Sequence, residues 1–252
     1  MTYLNGIDIS SIRSGLNIKD IDANFVIIKA TTGTKEKDVC FNTWAENIID
    51  SNKKLGIYHY AIGNESAEKE SSFFWENVKQ YSGKSIFVLN WTGKVVNCGP
   101  NYAKDFLDNF YKISGIHCLI CMDKNTIKEY KWDEVEKDYK LWIIDCPNNN
   151  PVKYHYIEQN EDCSPWSNPI ICRYSQMGVV NGYPANLNIN CFYGTEKEWN
   201  TLLEGKQPQN KEEKDFKKNN FEKTNILKEE TNIKTQTTKG KKTNQYKKTS
   251  KK

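Results

Sequence analysis

The chain has 252 residues, a formal charge of +4 from 36 Lys and Arg against 32 Asp and Glu, and a hydrophobic content of only 37%. That length suits one sizeable domain or a barrel and does not comfortably hold two. No apolar run approaches the roughly 18–20 residues that a membrane span needs. The charge is uneven: 15 Lys against 6 Asp and Glu give residues 205–252 a balance of +9, which leaves about −5 on residues 1–204. The opening MTYLNGIDIS has neither a basic n-region nor an apolar h-region. No signal peptide is therefore expected, and the protein reads as cytoplasmic, or released by lysis or a signal-independent route.

In chain order, NGIDIS (5–10) and ANFVIIKA (23–30) have the Ile and Val content of buried strands. Residues 40–54 place Phe41, Trp44, Ala45, Ile48 and Ile49 at helical spacing, and LGIYHYA (55–61) follows as a strand. Ser66 reads as the N-cap of a helix with Glu in its first turn, where the helix dipole favours acids. SIFVLN (85–90) is the fourth strand, 101–113 a helix, and 116–122 and 139–145 two further strands. From 150 onward β-like pieces take over: VKYHYIE (152–158), NPIICRYS (168–175) and NLNINCFYG (186–194). Alternating strands and helices with short connections predict a parallel α/β sheet, and this many units in 150 residues favour a closed, irregular TIM-like barrel finished by a few antiparallel strands. The predicted domains are a barrel over 1–204 and a disordered Lys-rich tail over 205–252, too poor in apolar residues to offset the entropy of ordering.

The eight Cys (40, 98, 118, 121, 146, 163, 172, 191) are scattered. Cys118 and Cys121 stand three apart in a strand-like run and so face opposite ways, and no second close pair completes a zinc site. Reduced, structural thiols are expected, with disulfides in a protein exported by a route without a signal as the alternative, and no metal or organic cofactor is implied. No aromatic interleaving in the basic tail supports sequence-specific nucleic-acid binding. Contact with a polyanion such as teichoic acid or anionic lipid is one expectation for it, and simple solvation another.

Five motifs in register carry a resemblance: GIDIS (6–10), FVIIKATTGT (25–34), LGIYHYA (55–61), LWIID (141–145) and NLNINCFYGT (186–195). Over residues 5 to about 203 the chain resembles the family 25 glycoside hydrolases, the Chalaropsis-type lysozymes or muramidases of phage endolysins and wall hydrolases. The resemblance implies the irregular barrel, a monomer, and action on the β-1,4 bond between N-acetylmuramic acid and N-acetylglucosamine of peptidoglycan. It also implies carboxylates at the barrel mouth: an Asp in the first strand, an Asp-x-Glu pair ending the fourth, and an Asp in a late Asp-Leu-Asn. Carried over by residue, the first is Asp8, but the pair falls on Asn90 and Thr92, and the late Asp on Asn188. Neither Asn nor Thr titrates near neutral pH, so the general acid and its partner are missing. Further departures are Thr32 for a frequent Glu, Ile12 and Arg13 near an aromatic–Gln pair, and Cys172-Arg173-Tyr174 for Trp-Gln-Tyr.

The expected function is thus a lysozyme-like barrel that binds peptidoglycan or a related amino-sugar glycan with hydrolysis lost or strongly impaired. Two rivals stay open: a rewired glycosidase using Asp8 and Asp145, and an interaction protein acting through its basic tail. Asp8 is either a relic that still bonds sugar or a strand-end Asp held by a nearby amide. Asp145 is either a replacement carboxylate or a cap for the following loop. By resemblance Tyr58 and Tyr60 border the cleft while His59, between them, packs in the barrel wall. Trp142 and Tyr174 are candidate stacking platforms for sugar rings, and Trp91 is expected to pack.

Overall fold

The computed structural model describes residues 2–13, 15–147, 149–159 and 163–203, so the expected tail lies outside the described residues. Within them β1 (Leu4–Ile9), β2 (Phe25–Thr32), a short β3 (Glu36–Lys37), β4 (Lys54–Tyr60), β5 (Ser85–Asn90), β6 (Leu119–Asp123), β7 (Leu141–Ile144), β8 (Ile171–Gly178) and β9 (Leu187–Phe192) form one sheet. Helices α1 (Phe41–Asp50), α2 (Ala67–Val78) and α3 (Gly99–Ser114) separate the early strands, while α4 (Lys124–Glu129), α5 (Asp133–Glu136) and α6 (Glu196–Leu203) come later. Neighbours from β1 through β2 and β4 to β8 are parallel. β9 then runs antiparallel to both β8 and β1 and closes an eight-stranded barrel, with β3 hanging from β2 as a hairpin. The predicted strand at 152–158 does not form. Val152 makes a single bridge to Gly178 on β8, and the segment has no partner row in which its alternating Val, Tyr and Ile could be satisfied as a strand.

Strand alternation divides the apolar residues into two cores. Phe25, Ile27, Val88, Leu119 and Trp142 fill the barrel, and a larger set that includes Ile28, Phe74, Leu89 and Phe106 lies between barrel and helices. Cys118 joins the outer set and Cys121 the inner, as their spacing requires. Gly6 gives Phe25 its room: a Cβ there would stand 2.4 Å from the Phe25 ring. On α6, Trp199 is fully buried and packs on Phe25 at 4.9 Å and Phe192 at 5.1 Å, stopping the end of the barrel opposite the mouth. Ser66 caps α2 as predicted, its hydroxyl accepting from the Lys69 amide.

His59 lies on the outer face of β4, fully buried between Phe74 and Phe106, with Nδ1 2.8 Å from the Thr31 hydroxyl. Beside it Glu70, the fourth residue of α2, accepts from the Ile62 and Gly63 amides and from the Tyr102 hydroxyl. Burial holds the imidazole pKa below its usual value in spite of Glu70. Burial would raise the Glu70 carboxyl, but bonds from His59, Ile62 and Tyr102 bring it below its usual value. A depressed histidine is neutral in the fold while the unfolded chain takes up a proton below about pH 6.5. Stability therefore falls as pH drops from about 6.5, at up to about 1.4 kcal/mol per pH unit for one proton. The Glu70 contribution is lost only at lower pH, below the ordinary carboxylate value. Urea midpoints measured between about pH 7.5 and 5.5, on either side of the ordinary histidine value, should show the slope, and His59→Asn should reduce it. The slope does not vanish because His117, partly buried against Tyr111 and Tyr139, shifts the same way.

Candidate active site at the barrel mouth

Parallel strands deliver their C-terminal ends to one rim, where sites on such barrels form. Asp8, the fifth residue of β1, pairs in register with Asn188 of β9 and Ile27 of β2. It is buried at 3% exposure. Its Oδ1 accepts from Arg173 Nε at 2.8 Å and Asn190 Nδ2 at 2.8 Å, and its Oδ2 from Arg173 Nη2 at 2.6 Å and Asn188 Nδ2 at 2.9 Å. Each oxygen thus receives two donors, and the guanidinium grips both oxygens in the fork geometry that holds a carboxylate most firmly. The Arg173 guanidinium lies 5.2 Å from the centre of the Trp142 ring, whose Nε1 donates to Asn190 Oδ1 at 3.0 Å. Burial opposes the charge on Arg173, but the Asp8 carboxylate outweighs it and the guanidinium stays protonated. β8 places Arg173 here because Ile171 and Arg173 share the inward face and the buried Cys172 takes the outer one.

Tyr58, on β4, lines the same depression as Asp8 and remains a phenol, its pKa pushed up by burial and then by Asp8. Two residues on, Tyr60 pairs with Asn90 in register. Asn90 is buried and its Oδ1 accepts from the Thr92 hydroxyl at 2.7 Å, so the amide and hydroxyl bond each other. Gly93 turns the chain directly beside the Tyr60 ring with φ +76°, and a Cβ there would stand 2.7 Å from the Tyr60 hydroxyl. The depression measures about 150 Å³ and is lined by Asp8, Ser10, Ile12, Arg13, Tyr58 and Asn188, among others.

The sequence profile described as glycosyl hydrolases family 25 matches residues 7–183, most of the described barrel. The chain belongs to glycosyl hydrolase family 25. Among solved structures, the lysozyme of Streptomyces coelicolor superposes with a TM-score of 0.69 at 19% identity, over 81% of this chain and 98% of that one. The family GH25 lysozyme of Aspergillus fumigatus gives 0.65 at 18% identity, over 80% and 99%. The muramidase of Trichobolus zukalii gives 0.64 at 20% identity, over 81% and 100%. No curated protein matches the chain by sequence.

In this family 25 chain the expected site residues do not all converge. Asp8, Tyr58 and Asn188 meet at the depression. Asp145 lies elsewhere: its Oδ2 accepts from Lys124 Nζ at 3.1 Å, and it lines a separate cavity of about 120 Å³ with His155, Cys172 and Tyr174. Tyr174 cannot be a platform at the mouth, because it follows the inward Arg173 and so projects outward, where its hydroxyl accepts from the His155 amide. Trp142 is inside the barrel but has no exposed surface, with Arg173 over its ring. Trp91 packs as expected, fully buried beside Tyr102. Asn190 is the central residue that sequence reading does not place in the site, and Arg173 enters there only as a departure from the family's Trp-Gln-Tyr, with no role assigned to it. Asn190 is legible as the same-face neighbour of Asn188 two residues on. Arg173 is legible as a lone cation in an apolar strand, which demands a buried counter-charge. Among the described residues no cluster of His, Cys, Asp or Glu is arranged to hold a metal ion, and no helix is long and apolar enough to cross a membrane.

Proposed function

We propose that the protein recognises peptidoglycan, or a related amino-sugar glycan, at the barrel mouth without hydrolysing it. The observation that carries this reading is the Asp8–Arg173 pair. Hydrolysis of a glycosidic bond asks for two carboxyl groups, one to protonate the leaving oxygen and one to stabilise or attack the sugar cation. Positions 90, 92 and 188 offer amide, hydroxyl and amide. The one carboxylate retained has both oxygens committed to Arg173, Asn188 and Asn190. A carboxylate with every donor-facing position so occupied is not free to attack a sugar.

What the mouth keeps is suited to holding sugar: the hydroxyls of Ser10 and Thr92, the amides of Asn90 and Asn188, and the half-buried Tyr60 ring. A glycosidase built on Asp8 and Asp145 is not supported, since each faces a different cavity and each is matched to a cation. The test is sedimentation with purified insoluble peptidoglycan beside an assay for new reducing ends. The protein is expected to pellet with the wall and to release none. Tyr60→Ala and Asn90→Ala should each weaken binding on the order of 10-fold, the worth of one stacking contact or hydrogen bond. Reducing ends from the wild type would overturn the reading, as would undiminished pelleting by both variants. Binding lost on removal of residues 205–252 alone would move recognition to the tail.

A further inference from the structure

Resting on that reading of the mouth, we infer that its ligand carries a carboxylate and that Arg13 is the residue that selects it. Hydrolytic mouths gather negative charge, and this one has lost it. Of the residues lining the depression, Ser10, Tyr58 and Asn188 are neutral, and Asp8 is cancelled by Arg173 within hydrogen-bond distance. Burial and the nearby Asp8 both keep the Tyr58 hydroxyl from ionising. The nearby cation on β2, Lys29, is itself matched by Asp38 at 3.6 Å. Arg13 is different. Its side chain lines the depression from the short turn Ser11–Arg13, and among the described residues no carboxylate lies within ion-pair distance of it.

The wall of the depression therefore carries one uncompensated positive charge over a neutral floor. A concave, partly dry site focuses such a field on whatever enters. A guanidinium also offers two parallel N–H donors in the spacing of a carboxylate's two oxygens, which a neutral sugar hydroxyl cannot match. Next to it Ile12 is 85% exposed, an apolar flank that suits an acetyl or lactyl methyl group beside the acid. The carboxylate has two sources on a wall-type ligand, the sugar itself or a peptide attached to it, and they are separable.

Calorimetric titration of the full chain would use three probes: a neutral tetramer of N-acetylglucosamine, a tetramer alternating N-acetylglucosamine with glucuronate, and the dipeptide L-alanyl-D-glutamate. The acidic tetramer is expected to bind about tenfold more tightly than the neutral one, the scale of a charge-assisted bond. The gap should narrow as salt is raised, close in Arg13→Gln, and survive in part in Arg13→Lys. Dipeptide binding as tight as that of the acidic tetramer, and lost in Arg13→Gln, supports the carboxylate while assigning it to peptide. Equal binding of both tetramers, or a gap unchanged in Arg13→Gln, overturns the inference. Peptidoglycan pelleting unchanged by Arg13→Gln overturns it too and leaves the non-hydrolytic reading standing. Absence of any pelleting overturns both.

Discussion

Placing carboxylates at positions 90, 92 and 188 should not by itself raise hydrolysis. A variant with Asn90→Asp, Thr92→Glu and Asn188→Asp is expected to release no more reducing ends from peptidoglycan than the wild type. Adding Arg173→Gln to it should raise release at least about 100-fold, the lower end of what one positioned acid contributes. The reason lies in the order of the interactions. The new carboxyls at positions 90 and 92 would stand where a 2.7 Å hydrogen bond now joins Asn90 and Thr92. Their like charges would raise the pKa of one of them, as a general acid requires. The new carboxyl at position 188 would be different, because it would stand against Asp8 Oδ2, to which the Asn188 amide now donates at 2.9 Å and Arg173 Nη2 at 2.6 Å, leaving two like charges to share one guanidinium. Arg173 would then hold two carboxylates instead of one and keep both from the sugar. Replacing it with Gln shortens the side chain, removes the charge and frees Asp8. The fourfold variant loses the buried pair, so the assay belongs at low temperature with folding checked by circular dichroism. Release by the threefold variant with Arg173 intact would sink the idea that this residue locks the site.

Asp8→Asn should be severely destabilising. Removing one partner of a buried, hydrogen-bonded pair leaves the other charge uncompensated and costs about 3–5 kcal/mol. Here the orphan would be Arg173, 8% exposed and surrounded by Trp142, Cys121 and Tyr58. For a chain of this size the thermal midpoint should drop by on the order of 10 °C. An amide at position 8 would also replace a pure acceptor with a mixed group, facing two amides, Asn188 and Asn190, that now donate to the carboxylate. Removing both charges at once, as Asp8→Leu with Arg173→Met, should recover much of the loss, because apolar replacements of a buried pair are often neutral or better. A midpoint for Asp8→Asn at or above that of the wild type would mean that Asp8 is held in strain for function, and the lock would be refuted.

Much of the barrel is legible in the sequence because its strands bury both faces and so read as continuous apolar runs: FVII in β2, IFVL in β5, LWII in β7. Ser66 and the spacing of Phe41, Trp44, Ala45 and Ile48 mark α2 and α1 for equally local reasons. The failures are non-local. Residues 152–158 have a strand's composition, but strand formation is decided by a partner, and only Val152 finds one. Trp142 and Tyr174 have the residue type of sugar platforms, yet their accessibility depends on Arg173, which covers the first and, by facing inward, leaves the second facing out. The amide, hydroxyl and amide at 90, 92 and 188 can be read position by position. The donors that surround Asp8 cannot, because they stand 165, 180 and 182 residues away.

The closure by β9 has a consequence for how the molecule is made. β1 leaves the ribosome before the other strands of this sheet, but one of its two edges is satisfied only by Leu187–Phe192. Until then the nascent barrel is an open sheet with unpaired edges at β1 and β8, and Phe25 lacks the indole that later stops the barrel floor. Such edges are templates for pairing with other chains. A chain ending before residue 187 therefore lacks the one strand that covers both of these edges.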